Sequence, residues 1–275
     1  MKKVKKYIVN TCRCTFLISS CIFLTPAVSD ELEIDLAYIG STSDTAWLGM
    51  KQGLDEANLQ GQFLGQKYAL SAFDPGQIND ADFSHYVAII TAVDHDLFLR
   101  ISESQPGVPV FNLSLDDDDL RSACLPNALH IIPSKRMKSD AEAQWLKKTP
   151  DSHATARAWH PDFEKFAGRD LNKRFLKNQM VQMDDPAWAG WASVKIISDS
   201  IVREKITDPG ELLQYLKTQL SFDGQKGDDL NFRVTGQLRQ PLLLVEADKI
   251  VAEAPVRGVA NPPTLDSLGM VECEK

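Results

Sequence analysis

Asp116, Asp117, Asp118 and Asp119 form the densest run of possible metal ligands in the 275-residue chain. Calcium loops alternate carboxylates with turn residues so that several oxygens converge on one point. Four consecutive aspartates diverge, and the run reads as a solvated loop. Asp184 and Asp185 are adjacent and precede Pro186, the arrangement of a helix cap and not of an acid/base pair. The five histidines (His85, His95, His130, His153 and His160) include no pair four residues apart, and the cysteines form no CxxC. No metal site is expected. GxSxG, HExxH and GxxxxGK[ST] are absent from the sequence. The chain therefore reads as a binding protein without a cofactor, not as an enzyme. Trp188 and Trp191 could stack a planar ligand, but beside Val194 and Ile197 they have the spacing of a helix core stripe.

The elements that would position such residues alternate through the first half. Strands are expected over 34–39, 67–73, 86–90, 108–111 and 128–132. The third is an unbroken apolar run, as in a strand buried on both faces. Helices are expected over 45–59, 94–103 and 135–147, with turn signals at Gly40-Ser41-Thr42-Ser43 and Asp74-Pro75-Gly76. Alternation of this kind gives a parallel sheet flanked by helices. Strand signals nearly vanish for about seventy residues after Lys148, and helices are expected around 163–175, over 186–203 and from Pro209. The helix over 186–203 carries an apolar stripe three or four residues apart. Short strands return over 230–233, 242–246 and 250–253.

The N-terminus sets the compartment. Lys2, Lys3, Lys5 and Lys6 precede an apolar stretch from Cys14 to Leu24, and Ala27-Val28-Ser29 offers small residues for cleavage, the order of a secretory signal peptide over 1–29. Arg13 leaves the stretch short of the ~20 residues of a spanning helix. Ile18-Ser19-Ser20-Cys21 fits a lipidation box loosely, and the apolar run continues beyond it. Residues 1–29 hold five basic and no acidic residues, so the rest has 25 basic against 38 acidic residues, a net charge of −13. Such a chain repels phosphate backbones and anionic lipid. Neither nucleic-acid binding nor a membrane-integral protein is expected. Cys124 and Cys273 remain after the signal, and two cysteines in an oxidising compartment are expected to pair.

Tyr38-Ile39-Gly40, the stretch Gly49 to Asn58, Leu64-Gly65-Gln66-Lys67 and Val108-Pro109-Val110-Phe111-Asn112 occur in order. Together they resemble the first lobe of type I periplasmic binding proteins of the leucine/isoleucine/valine class, the substrate-binding components of ABC transporters. Cys124-Leu125-Pro126-Asn127, Trp159-His160-Pro161, Ala187-Trp188-Ala189-Gly190-Trp191, Phe222-Asp223-Gly224 and Gly236 to Leu244 are similar to one subgroup, associated with pyrroloquinoline-quinone (PQQ)-dependent alcohol dehydrogenase systems.

The resemblance implies a type I fold with a first α/β lobe over 30–148. A truncated, mainly helical second lobe would cover 149–229, and a tail over 230–275 would return to the lobes as short strands. Only residues 149–158 stand where the family has several strand–helix units. It also implies a ligand at the carboxyl ends of the strands. Those positions are Ser41, Thr42, Ser43 and Trp47, then Thr91 and Ala92, then Asn112 and Ser114. The family's amino-acid binders carry Gly-Pro and Ser where this chain has Thr91-Ala92-Val93, so recognition of free amino acids is not expected. Two partners remain open: an ABC permease receiving a captured solute, or a periplasmic quinoprotein dehydrogenase served by an accessory or sensor. The exported protein is expected to start at Asp30. Intact-mass measurement on periplasmic material checks this, and a mass retaining 1–29 or a diacylglyceryl adduct on Cys21 contradicts it.

Overall fold

The computed structural model describes residues 31–78 and 82–273; the expected signal segment and its junction at Asp30 lie outside them. The described residues begin with β1 (Leu32–Ile39), buried from Leu36 onward and placed second from one edge of a five-stranded parallel sheet. Its neighbours are β2 (Gln66–Phe73) and β3 (Ala88–Thr91), followed outward by β4 (Val110–Asn112) and β5 (Ala128–His130), in the order β2-β1-β3-β4-β5. Leu36 of β1 sits between Leu70 and Ala88, which fixes the register on both sides. The central strands are apolar at nearly every position because helices cover both faces.

On one face α2 (His95–Ser104) supplies Leu97, Phe98 and Ile101 against Ala37, Ile39 and Ile89. Asp94 starts this helix by accepting a hydrogen bond from the Leu97 amide (2.9 Å). Beside it lies the short α3 (Asp118–Ser122). The other face is covered by α1 (Thr45–Gly61) and α6 (Asp185–Glu204). Asp184 caps α6 through the Ala187 amide (2.9 Å), Pro186 lies in its first turn, and Lys205 ends it at φ +59°. The two helices cross closely: a Cβ at Gly49 would overlap the Ala187 carbonyl, and one at Gly190 the Ala46 carbonyl. The sequence suggests an amphipathic α6, yet Trp188 to Val194 are all buried. Residues 222–230 cover its far side, where Trp188 Nε1 donates to Gly224 O (3.1 Å) and Phe222 packs on Trp191.

The second half departs from the expected lobes. The helices α5 (Gly168–Gln179), α6 and α7 (Pro209–Thr218) do not form a separate helical body. Leu171 and Phe175 of α5 and Leu212 and Leu216 of α7 share one core with Ile34 and Leu36 of β1. A second sheet comes instead from residues on both sides of the expected boundaries: β6 (Thr155–Arg157), β9 (Leu242–Glu246) and β10 (Lys249–Ala254), antiparallel in the order β10-β9-β6. Here α4 (Lys135–Lys148) lays Met137 and Ala141 on Leu242, Leu244 and Ala156. The described residues cluster as one compact unit. The strands β7 (Asn231–Phe232) and β8 (Leu238–Arg239) pair as a short hairpin.

The free edge of β6 carries its own partners. The amides of Ala154, Ala156 and Ala158 are received by Ser152 Oγ (3.2 Å), Glu142 Oε1 (2.9 Å) and Asp185 Oδ2 (3.2 Å). Cys124 and Cys273 are disulfide-bonded, with Cα atoms 5.9 Å apart, as the cysteine usage anticipates.

The α1–α6 crossing leads to a stability prediction. Gly49→Ala gains helix propensity but forces two backbones apart in a full core, for a net loss of about 1–3 kcal/mol in urea unfolding. Gly107→Ala, with nothing within 4 Å of the added carbon, should leave the midpoint unchanged.

Candidate functional site

The parallel strands all deliver their carboxyl ends to one edge of the first sheet, and a cleft of about 670 Å³ opens there. Its floor is Ala92 after β3, Leu113 and Ser114 after β4, and Ile132 and Pro133 after β5. Around it stand the adjoining starts of α1 (Ser43 to Ala46) and α6 (Asp185 and Pro186), with Lys138 of α4. A second cavity of about 580 Å³ adjoins it at Ala92, between Gly40, Ser41 and Thr42, Phe73 and Asp74, and Asp94. Between β1 and β3 the strand order reverses direction, which is where open α/β sheets form ligand crevices.

Of the positions expected from the sequence, Ser43, Ala92 and Ser114 line the main cleft, and Ser41, Thr42 and Ala92 the adjoining cavity. Ser114 Oγ donates to Val93 O (3.2 Å), while Ser41 and Ser43 share a hydroxyl contact (2.7 Å). Three others serve the scaffold. Thr91 is buried and donates to Phe111 O (2.9 Å). Asn112 is buried too: its Nδ2 donates to Leu115 O (2.7 Å) and His130 Nδ1 (2.9 Å), and its Oδ1 accepts from Ser114 and Leu115 amides. These bonds set the turn after β4. Trp47 stacks on Tyr38 (5.5 Å between centroids) and lines neither cavity.

The sequence reading missed Asp44, Thr45, Lys138 and Asp185. Asp44 precedes α1 in extended conformation and makes no side-chain cap bond. Thr45 Oγ1 donates to Asp184 Oδ2 (2.9 Å), joining the starts of α1 and α6. Lys138 is held by Asp116 (2.9 Å), so the aspartate run serves partly to neutralise a cleft lysine. Lys135 likewise pairs with Asp117 (2.7 Å). Among the described residues no cluster of three or more His, Cys, Asp or Glu could hold a metal ion.

Asp185 is the most constrained group in the cleft. Its carboxylate accepts from the amides of Trp159 (2.7 Å) and Ala158 (3.2 Å), where the chain leaves the second sheet. Burial raises its pKa above the ordinary aspartate value, while those two amides and the charges of Lys226 and Arg157 act the other way. Behind it Trp159 and Trp188 stack 5.9 Å apart, and Lys226 Nζ lies 3.9 Å from the Trp188 ring centroid. Lys226 is buried, donates to Gln240 Oε1 (2.6 Å), and has its pKa pushed down to about 7 by desolvation.

No protein-family model matches the sequence, and no curated protein matches it. Solved structures do match the fold. A branched-chain amino acid ABC transporter periplasmic ligand-binding protein from Burkholderia xenovorans LB400 aligns at TM-score 0.67 and 12% identity, over 80% of this chain and 95% of that one. The fold is that of a type I periplasmic binding protein. An ABC transporter substrate-binding protein from Desulfitobacterium hafniense, solved in complex with Leu, gives 0.67 at 13% identity, over 80% and 98%. A solute-binding protein from R. palustris in complex with benzoate gives 0.61 at 12%, over 80% and 94%. No helix among the described residues of this binding-protein fold is long and apolar enough to cross a membrane.

Lys226 makes the stability of this fold depend on pH. Below about pH 7 the lysine is protonated in both the folded and the unfolded chain, and the fold carries a buried ammonium. Between about 7 and the ordinary 10.5 the unfolded chain binds more protons, so stability rises with pH across that window. Urea midpoints should climb from pH 7 to pH 10, and Lys226→Met should flatten the climb. An equal slope in both proteins would contradict the assignment to Lys226.

Proposed function

We propose that the protein captures a small solute in the cleft at the carboxyl edge of the first sheet and does no chemistry on it. The observation that carries this reading is the cleft itself: strand ends and helix starts line a cavity in the range of small-molecule sites. Several of its side chains are engaged within the protein: Ser114 on Val93 O, Thr45 on the Asp184 carboxylate and Asp185 on the Trp159 amide. None is paired as a nucleophile with its base. Ser43, Ala92 and Ser114 would touch the ligand, with Ser41 and Thr42 reaching it from the adjoining cavity.

In this reading the protein is exported to the periplasm through residues 1–29 and hands its solute to an ABC permease. It is a substrate-binding component linked to PQQ-dependent alcohol oxidation. The fold likeness to ABC transporter substrate-binding proteins supports the transport role. The sequence motifs around Trp159, Trp188 and Gly236 support the quinoprotein link.

A second reading rests on the small size of the three-stranded second sheet, read as the remnant of a second lobe shortened relative to the family. Hinge closure between two sheet-backed lobes would then be replaced by docking of a periplasmic quinoprotein dehydrogenase on the open edge, with this chain as accessory or sensor.

Calorimetric titration with branched-chain amino acids, short alcohols and PQQ separates the two. Micromolar or tighter binding of any one, lost in Ser114→Trp, supports solute capture. A flat response with co-purification of a quinoprotein dehydrogenase supports the accessory role.

A further inference from the structure

Resting on the reading of this cleft as a solute site, we infer that its ligand carries a protonated amine over an apolar body, with Asp185 as the main counter-charge and Asp44 as the second. The charge pattern of the walls leads to this. The one cleft lysine, Lys138, is bound by Asp116 (2.9 Å) and offers little to an incoming anion. The positive ends of two helices face the cleft, but each is already met by this chain's own carboxylates: Asp44 at α1, and Asp184 with Asp185 at α6.

Asp185 receives two amide hydrogens yet forms no ion pair within 4.0 Å among the described residues. The charge of Lys226 acts on Asp185 without pairing with it: its Nζ lies over Trp188 and donates to Gln240 Oε1 and the Pro241 carbonyl. A ligand settling on Asp185 removes water from a carboxylate that is already largely desolvated. An apolar or anionic ligand group makes that loss costlier, whereas an ammonium offsets it by direct pairing. The remaining surface (Ala46, Ala92, Leu113, Ile132, Pro133 and Pro186) suits a short aliphatic body.

The solved relatives in complex with Leu and with benzoate hold carboxylate-bearing ligands. This cleft carries Asp44 and Asp185 at the adjoining starts of α1 and α6, and both charges oppose a carboxylate. Its preference should therefore run toward the amine half of such molecules.

Three matched probes test this on the full chain: isopentylamine, leucine, and 4-methylpentanoate, which share one branched body and differ in charge. Titration calorimetry should rank them in that order, with the amine at least about tenfold tighter than the acid. Asp185→Asn should weaken the amine about tenfold and leave the acid unchanged or tighter. Asp44→Asn, at an exposed position outside the fold's packing, should shift both in the same directions by less. Far-ultraviolet circular dichroism and urea unfolding establish that each variant is folded. If Asp185→Asn fails to fold, the ranking on the wild-type chain and the Asp44→Asn shifts decide. Binding of 4-methylpentanoate as tight as or tighter than isopentylamine overturns the inference and leaves the solute site standing. Failure of all three to bind at millimolar concentration, together with no response to the alcohols and PQQ, removes the site and the inference with it.

Discussion

The α1–α6 crossing is the constraint on which the rest of the molecule depends. Gly49, Gly53 and Gly190 let two helices lie backbone to backbone, with a Cβ at Gly53 reaching only 3.0 Å from Trp191 O. Because α6 comes so close, one helix covers the sheet face that the first half of the chain cannot cover alone. The same approach brings the start of α6 beside the start of α1, where Thr45 bonds to Asp184. Asp185 is thereby carried to the cleft, and Trp159 and Trp188 are stacked beneath it. Packing and site are consequences of one contact.

A second constraint ties the tail to this body. Arg121 is buried and donates to Gln237 Oε1 (2.9 Å) and to the carbonyls of Leu115, Asp117 and Ile132. Gln237 Nε2 in turn donates to His130 O (3.1 Å) and Ile132 O (3.0 Å), so residues from 115 to 237 meet around one guanidinium. Farther along, Arg233 and Arg239 share Asp266, and Arg233 also donates to Leu268 O (2.7 Å). Buried charges of this kind are stable only when their donors find acceptors, and here the acceptors are the turns themselves. The loops flanking the cleft floor are thus fixed from behind.

The first sheet was legible in the sequence because its strands are apolar runs separated by turn residues, a pattern set locally. The disulfide was legible from cysteine number and compartment. The fate of 149–229 was not. Helical periodicity shows that α5, α6 and α7 exist, but the sheet they cover is chosen by long-range packing, and the glycines that permit it look like ordinary helix interruptions. Strand β6 is three residues long with Thr155 and Arg157 exposed, too short for any period to show. Asp185 was correctly seen as part of a helix start, and its place in the cleft depends on where that helix docks. Asn112 and Thr91 have the right residue types for ligand contact, but the turn after β4 uses Asn112 and a bond to the neighbouring strand uses Thr91.

The border of the second sheet bears on what the molecule can recruit. An open strand edge normally recruits another strand, from its own chain or from a neighbour. Along β6 each outward amide already has an oxygen of its own, from Ser152, Glu142 or Asp185. A sheet hemmed in this way can end after three strands without becoming adhesive. Three side chains, one of them shared with the cleft, thus close the border of the second sheet to further strands.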